Sequence, residues 1–429
     1  MSSHARSAVA GFSISDPGRQ PVEAIAPPIA APVADQWIRY GTTEFRNAGI
    51  ALFLGGFASF SLIYCVQPLL PYFATSFTIS PAASSLALSL TTGLLAISIF
   101  LASAFSQALG RRGLMFISML LAAVFNIAAA VLPSWHGLLF ARAMEGLVLG
   151  GVPAVAMAWL AEEIDPAHLG RAMGLYIAGN GFGAMMGRVG MGLMTEFTSW
   201  QIAMEALGLI CLFSAIGFFL LLPRSRHFEA QKGFDPFFHF RAWGGHLKRG
   251  EMIRLFAIGF LLTSIFVTLF NYSTFRLSAD PYDLSGTAVS MIFLAFGFGI
   301  VSSSVAGALA DRFGRAPLII SGFLVMLAGV TLTLMSGLVA IFIGIALVAT
   351  GFFIGHSVAS GSVGRAAKGA KGHASSLYLL FYYMGSSLSG SVGGFFYQHG
   401  GWGAVVGLTT SFAIFGLVLG AIALIGNRT

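Results

Sequence analysis

Charge is what this sequence has least of. Of 429 residues, 23 are Lys or Arg and 16 are Asp or Glu, 9% in all, against about 25% in an average soluble domain. A water-soluble chain of this length could not cover its surface with so few charges, which excludes an ordinary soluble enzyme. The 56% share of hydrophobic residues excludes a disordered chain. Cysteine is nearly missing too. Cys65 and Cys211 both fall in apolar runs, so they read as buried small side chains and not as a disulfide scaffold. No Cys/His spacing suits a metal. Neither H-E-x-x-H nor G-x-S-x-G occurs. Ser387-Leu388-Ser389-Gly390 misses a rhomboid-type G-x-S-G by one residue, so an intramembrane enzyme is not expected. Gly181-Phe182-Gly183 has no strand before it to make a dinucleotide loop. There is no G-x-x-x-x-G-K-[ST] loop, so ATP does not drive the protein directly.

What is present is apolar length. Mean hydropathy is +0.84, and a bilayer-spanning helix takes about 20 apolar residues. Twelve runs qualify, with edges good to about three residues. Helices 1 to 6 fall at about 47–70, 82–105, 114–132, 136–160, 171–194 and 201–222. Helices 7 to 12 fall at about 254–275, 287–309, 316–335, 338–360, 375–396 and 403–425. The expected divisions are a disordered cytoplasmic tail (1–45), an N-terminal six-helix half (46–222), a central cytoplasmic loop (223–253) and a C-terminal six-helix half (254–429). Pro21, Pro27, Pro28 and Pro32 break the tail, so no signal-peptide core is expected there.

The net charge of +7 follows from topology and does not call for nucleic acid. With the N-terminus in the cytoplasm, 20 of the 23 Lys and Arg fall on the cytoplasmic side, one (Arg276) on the outer side and two (Arg142 and Arg188) inside helices. Basic loops are retained inside, so both termini are placed in the cytoplasm.

The halves repeat. Gly174–Trp200 aligns without a gap to Ser376–Trp402, pairing Leu175 with Leu377, Tyr176 with Tyr378, Gly183 with Gly385, Gly192 with Gly394 and Trp200 with Trp402. Gly110-Arg111-Arg112 after helix 2 matches Gly314-Arg315 after helix 8. Ser80-Pro81 and Ser285 are parallel N-cap signals. Two parallel six-helix repeats form a transporter-type architecture. A ring-pore channel does not fit it.

The run Gly307-Ala308-Leu309-Ala310-Asp311-Arg312-Phe313-Gly314-Arg315 resembles the signature loop G-x-L-A-D-R-x-G-R of the major facilitator superfamily. Phe140-Ala141-Arg142-Ala143-Met144-Glu145-Gly146 resembles the family's helix 4 motif, R-x-x-Q-G. The resemblance covers the whole chain and implies an all-α membrane protein of twelve helices in two pseudo-symmetric halves, the major facilitator fold. The group it resembles most is the bacterial inner-membrane efflux transporters of arabinose-efflux-permease type. That implies secondary transport by alternating access, proton-coupled export of a small molecule and no cofactor beyond the proton gradient. A monomer is expected, with the lipid bilayer and a small-molecule substrate as partners. A passive facilitator or a proton symporter for uptake is the alternative on the same fold. The chain departs from the pattern at Gln107, where the family's second signature loop has aspartate, at Glu145, where the helix 4 motif has Gln, and in helix 5, which lacks the antiporters' Gly-Pro pair.

Asp311 is expected to face the start of helix 5, near Gly170 and Arg171, where unpaired N–H groups and the dipole favour a carboxylate. It would latch the halves together on the inner side. Gly307 would allow close approach and Gly314 a tight turn, with Arg315 beside them. Gln107, Gly110 and Arg111 would form the weaker matching latch. Inside the bilayer, charge is costly and faces a cavity or a partner. Arg142 and Glu145 are three residues apart on helix 4, and Arg188 lies at similar depth on helix 5. They are expected to form one cluster. Two readings are open: Glu145 exchanges protons, tuned by Arg142, while Arg188 contacts substrate or the pair; or all three form a salt-bridge network that fixes packing. Two Arg against one Glu point to an anionic or amphiphilic substrate. The remaining cavity candidates are Tyr64, Gln67, Asn180, Asn271, Tyr272, His356, Tyr378, Tyr382, Tyr383 and Ser386. Each of these also suits an interhelical hydrogen bond. Gly179, Gly183 and Gly187 form a small-residue stripe for close packing. Glu162, Glu163 and Asp165 are placed to pair with Arg111 or Arg112.

Overall fold

The computed structural model describes residues 37–227 and 236–426, with side chains for all but 103–109, 236 and 426. Ten helices are long and apolar enough to cross a membrane. One of them, Lys371–Gly426, is two crossings in line, broken where Gly401 leaves helical geometry. Leu169–Phe197 has the length of a crossing, but its many glycines and Arg188 dilute its hydropathy. The count is therefore twelve, as the sequence predicts, and among the described residues there is no β-strand.

The observed bounds sharpen the expected ones. Helix 1 is Thr43–Tyr64, then a tight turn at Gln67–Leu69 and a short continuation, Leu70–Ser76. Helices 2 and 3 are Pro81–Leu109 and Arg111–Val131. Helix 4 is Trp135–Leu149 continued by Gly151–Glu163. Helices 5, 6 and 7 are Leu169–Phe197, Trp200–Leu221 and Gly250–Ser278. Helix 8 runs through Gly286–Ser290, a tighter turn at Met291–Ala295 and Phe296–Phe313. Helices 9 and 10 are Arg315–Leu332 and Leu338–Ala366. Helices 11 and 12 are the two parts of Lys371–Gly426. The serine caps are as expected: Ser80 Oγ accepts from the Ala83 N–H at 3.1 Å and Ser285 Oγ from the Ala288 N–H at 3.3 Å. The turns after helices 2 and 8 need glycine, since Gly110 and Gly314 have φ of +76° and +87°.

Two expected divisions are corrected. Of the expected tail, 1–45, residues 1–36 lie outside the described residues. Trp37 and the residues that lead into helix 1 are part of the folded body. Trp37 stacks on His227 at 4.7 Å, the Ile38 N–H donates to the Glu163 carbonyl at 2.8 Å, and helix 1 starts at Thr43. The central loop, 223–253, contains a helix, Pro236–Leu247. Its Trp243 stacks on Phe100 of helix 2 at 3.9 Å and donates to Ser376 Oγ of helix 11 at 3.3 Å. Buried His239, Trp243 and His246 recur at helical spacing, so tertiary docking makes a helix of a segment whose polarity reads as loop.

The repeat is visible in the packing. The backbone of Phe53, Phe57 and Ser61 on helix 1 lies against Gly179, Gly183 and Gly187 on helix 5, leaving no room for a Cβ. Ser61 Oγ donates to the Gly183 carbonyl at 3.0 Å. In the second half Phe260 of helix 7 lies against Gly385 of helix 11, and Ser264 Oγ donates to the Gly385 carbonyl at 3.4 Å.

The halves meet unevenly. Call the face that carries the basic loops the basic face, and its opposite the far face. Near the far face helix 5 touches helix 8, where Gly192 lies against Gly286 and Ser290, and Glu196 accepts from the Thr287 N–H at 3.3 Å. Helix 2 touches helix 11, where Ala82 lies against Gly394 and Ser387 Oγ donates to the Ser89 carbonyl at 2.7 Å. Toward the basic face the pairs separate. Gly170 and Gly174 on helix 5 and Gly307 on helix 8 have open space where a Cβ would stand, and Trp243 sits between helices 2 and 11. The helix pairs thus meet near the far face, while toward the basic face helices 5 and 8 part and the Pro236–Leu247 helix bridges helices 2 and 11.

Candidate functional site

The site is built around the break in helix 1. Helix 1 stops at Tyr64, and Pro68 and Pro71 follow. The last carbonyls of a helix have no donor within it, Pro68 has no N–H to give the Tyr64 carbonyl, and carbonyls in hydrocarbon must find a donor within the protein. Arg142 of helix 4 supplies it. Its Nη1 donates to the Leu62 carbonyl at 3.1 Å, its Nη2 to the Ile63 carbonyl at 2.9 Å, and its Nε to the Ala87 carbonyl of helix 2 at 3.2 Å. A cation at the negative end of a helix is favoured by the dipole as well. Glu145, one turn further along helix 4, balances the charge with Oε2 at 2.5 Å from Arg142 Nη1. Both side chains are fully buried, and Glu145 Oε1 has no hydrogen-bond partner.

Arg188 grips the same break from the other side. Its Nε donates to Gln67 Oε1 at 2.6 Å and its Nη1 to the Ala184 carbonyl of its own helix. Its guanidinium lies over the rings of Tyr64 (4.0 Å), Phe296 (4.7 Å) and Phe293 (5.2 Å). Gln67 Nε2 then donates to Asn271 Oδ1 at 2.6 Å. Arg188, Gln67 and Tyr64 belong to the first half, and Asn271, Phe293 and Phe296 to the second, so this set spans the interface.

The single cluster expected of Arg142, Glu145 and Arg188 is therefore two sites with the end of helix 1 between them. Similar depth on neighbouring helices does not fix which way each side chain turns. Arg142 and Glu145 turn into the first half, and Arg188 turns to the interface. Gln67, Asn271 and Tyr64 join Arg188. Tyr382 meets Tyr64 across the interface and lies 4.7 Å from the ring of His356, whose Nδ1 is 2.9 Å from Tyr378 Oη. Ser386, one turn from Tyr382, is buried with an unpartnered hydroxyl. Asn180 lies against Gly56 of helix 1, its Oδ1 unpartnered. Tyr272 does not join them. It donates to the Gly390 carbonyl at 2.6 Å and stacks on Tyr397, packing helix 7 on helix 11.

The latch residues are apart. Asp311 is 69% exposed and 3.6 Å from Arg365 of its own half, not at the start of helix 5, because helices 5 and 8 diverge at this end. Arg171 lies over the ring of Tyr40 instead. Gly307 makes no close approach. Arg315 lines a cavity of about 270 Å³ with Arg254 and Arg365. Gln107 lies outside the residues with described side chains. Arg111 holds Glu162 through two hydrogen bonds, as the sequence suggests, whereas Glu163 accepts the N–H groups of Arg226 and His227 at 2.8 and 3.1 Å. Sequence reasoning missed Phe293, Phe296, Ser89 and Ser387. The Pro68/Pro71 pair was the one signal available for the break that organises them.

The sequence profile of the Major Facilitator Superfamily matches residues 52–357 and 277–429. The chain is 44% identical over 389 residues to the MFS-type transporter YybF of Bacillus subtilis, covering 89% of this chain and 95% of that one. It is 42% identical over 388 residues to the inner membrane transport protein YnfM of Escherichia coli, covering 90% and 92%. The crystal structure of a bacterial Spinster homologue, inward-facing and occupied, superposes with a TM-score of 0.71 at 13% identity over 91% of this chain and 98% of that one.

Replacing Arg142 by Ala leaves Glu145 buried and unpaired, takes the Ile63 carbonyl's donor and leaves the Leu62 carbonyl only the Cys65 thiol. Breaking a buried pair in this way costs about 3–5 kcal/mol. The thermal midpoint of purified R142A should fall well below that of wild type, and the double variant R142M/E145Q should recover part of the loss.

Proposed function

The chain belongs to the Major Facilitator Superfamily, and from that premise we propose that it is a proton-coupled exporter of a small organic molecule. Membership makes it a multi-pass membrane transporter and not an enzyme. The proposed setting is a bacterial inner membrane, with the basic face and both termini in the cytoplasm. The distribution of Lys and Arg and the printed name of the relative YnfM support it. On this reading the contacts of helix 5 with helix 8 and of helix 2 with helix 11 are those that close the outer side. Export proceeds by rocking the halves so that the far-face contacts part while the basic face closes.

The observation that carries the proton reading is Glu145. It is the one carboxylate among the described residues that is fully buried at the depth of the helix 1 break, and one of its oxygens is unpartnered. While ionised it balances Arg142. Once protonated it releases the guanidinium that holds the end of helix 1 and the Ala87 carbonyl of helix 2. Ala87 is two residues from Ser89, whose carbonyl is a far-face contact with Ser387. A proton at Glu145 thus acts on helix 2, which meets helix 11 near the far face, and on the end of helix 1, whose Gln67 meets Asn271. The complete burial of the pair favours the alternative, a structural lock in a passive facilitator or an uptake symporter.

Proteoliposomes with an imposed pH gradient separate the two. A coupled exporter accumulates substrate against its gradient. E145Q, which restores the family's residue, should lose accumulation while still exchanging substrate at equilibrium. A facilitator ignores the pH gradient in both proteins.

On closure of the basic face, Asp311 is proposed to leave Arg365 and meet the start of helix 5. A carboxylate there is worth roughly 0.3–1 kcal/mol. D311N should therefore slow transport about two- to fivefold and enlarge the inward-open population measured by spin-label distances, while Q107A stays close to wild type.

A further inference from the structure

We propose that Arg188 is the anion-binding group of the transport site, so that the cargo is an organic anion with a carboxylate-like head and an apolar or aromatic body. This rests on the reading of the chain as a transporter and on nothing about its coupling ion.

The other buried arginines of the first half have acidic partners: Arg142 has Glu145 and Arg111 has Glu162. Arg188 is 1% exposed, and among the described residues no carboxylate forms an ion pair with it. Its acceptors, Gln67 Oε1 and the Ala184 carbonyl, are neutral. Three ring faces soften a cation without balancing it. An unbalanced charge at this depth marks a functional group whose counter-charge arrives from elsewhere. A guanidinium has five donors in a planar fork suited to a carboxylate, and the rings of Tyr64, Phe293 and Phe296 would receive the apolar body.

The surroundings also offer donors. Asn271 Nδ2 and Ser89 Oγ are buried and have no partner. Both point into the space beside Gly390, where a Cβ would stand 3.3 and 3.1 Å from them. Gly390 is the repeat partner of Arg188 at the 202-residue offset. One half supplies the charge at this level, and the other supplies a position with no side chain. No acidic side chain from either half enters this region among the described residues.

Occupancy would act on the far-face seal. Arg188 holds Gln67, and Gln67 holds Asn271 across the interface. An anion that takes the Arg188 fork releases Gln67 and weakens that crossing, which links loading to opening on the far side. A cation would meet repulsion at the same point.

The test is equilibrium binding with no gradient, so it is independent of proton coupling. The purified full-length protein is melted at fixed pH with benzoate, 3-phenylpropionate and 1-naphthoate, and with the matching amides and benzylamine. The carboxylates should raise the wild-type midpoint, and the amides and the amine should not. R188Q should lose the response. R188K, which keeps the charge but not the fork, should weaken the half-maximal concentration by at least about tenfold. If R188Q does not fold, R188K carries the test. The proposal is overturned if no carboxylate stabilises wild type, if the amides or the amine stabilise it as much, or if folded R188Q or R188K responds like wild type. Loss of pH-driven accumulation in E145Q, or its absence in wild type, would bear on the coupling reading and leave this one standing.

Discussion

The rest of the structure depends on how the end of helix 1 is held. A helix that stops inside a bilayer leaves carbonyls that no water can reach, and Pro68 ensures that the chain beyond cannot supply all the missing N–H groups. The guanidinium of Arg142 meets that need from behind, with Glu145 as its counter-charge. The break frees Tyr64 and Gln67 to face the seam, where the guanidinium of Arg188 lies over the ring of Tyr64 and donates to Gln67. From Gln67 the contact passes to Asn271 in the second half. One backbone irregularity thus joins a carboxylate buried in the first half to the seam along which the halves must part.

The halves are alike in their packing and unlike in their chemistry. Helix 1 lies on helix 5 as helix 7 lies on helix 11, with a serine hydroxyl on a glycine carbonyl in each. The three charges set deep in the bilayer, Arg142, Glu145 and Arg188, all belong to the first half. The second half presents Asn271, the phenylalanines of helix 8, His356 and the tyrosines of helix 11. Deep charge is therefore confined to one body, and the other presents apolar and hydrogen-bonding surface.

Much of this was legible in the sequence. Twelve apolar runs, one-sided basic loops and a constant offset between Gly183/Gly385 and Trp200/Trp402 are properties of composition and spacing, and they gave the architecture. Arg142 and Glu145 were paired correctly because three residues on one helix set a contact by geometry alone. Arg188 was grouped with them wrongly, because spacing gives depth along a helix and not the neighbour a side chain turns toward. Of the two readings open for Tyr272, the structure shows the interhelical hydrogen bond. Asp311 is expected at the start of helix 5 and instead lies 3.6 Å from Arg365, because a sequence does not specify how far apart the ends of helices 5 and 8 stand. The Pro236–Leu247 helix was missed because docking of Trp243 and His239, not local polarity, stabilises it.

The central claim is that the charge state of Glu145 sets the arrangement of the halves through Arg142 and the end of helix 1. The most direct measurement is the distance between spin labels at Leu175 and Ser304, on the basic-face ends of helices 5 and 8, across a range of pH in wild type and E145Q. The account predicts that the distance distribution of wild type changes with pH and that of E145Q does not. An E145Q protein whose distances follow pH as wild type does would contradict it.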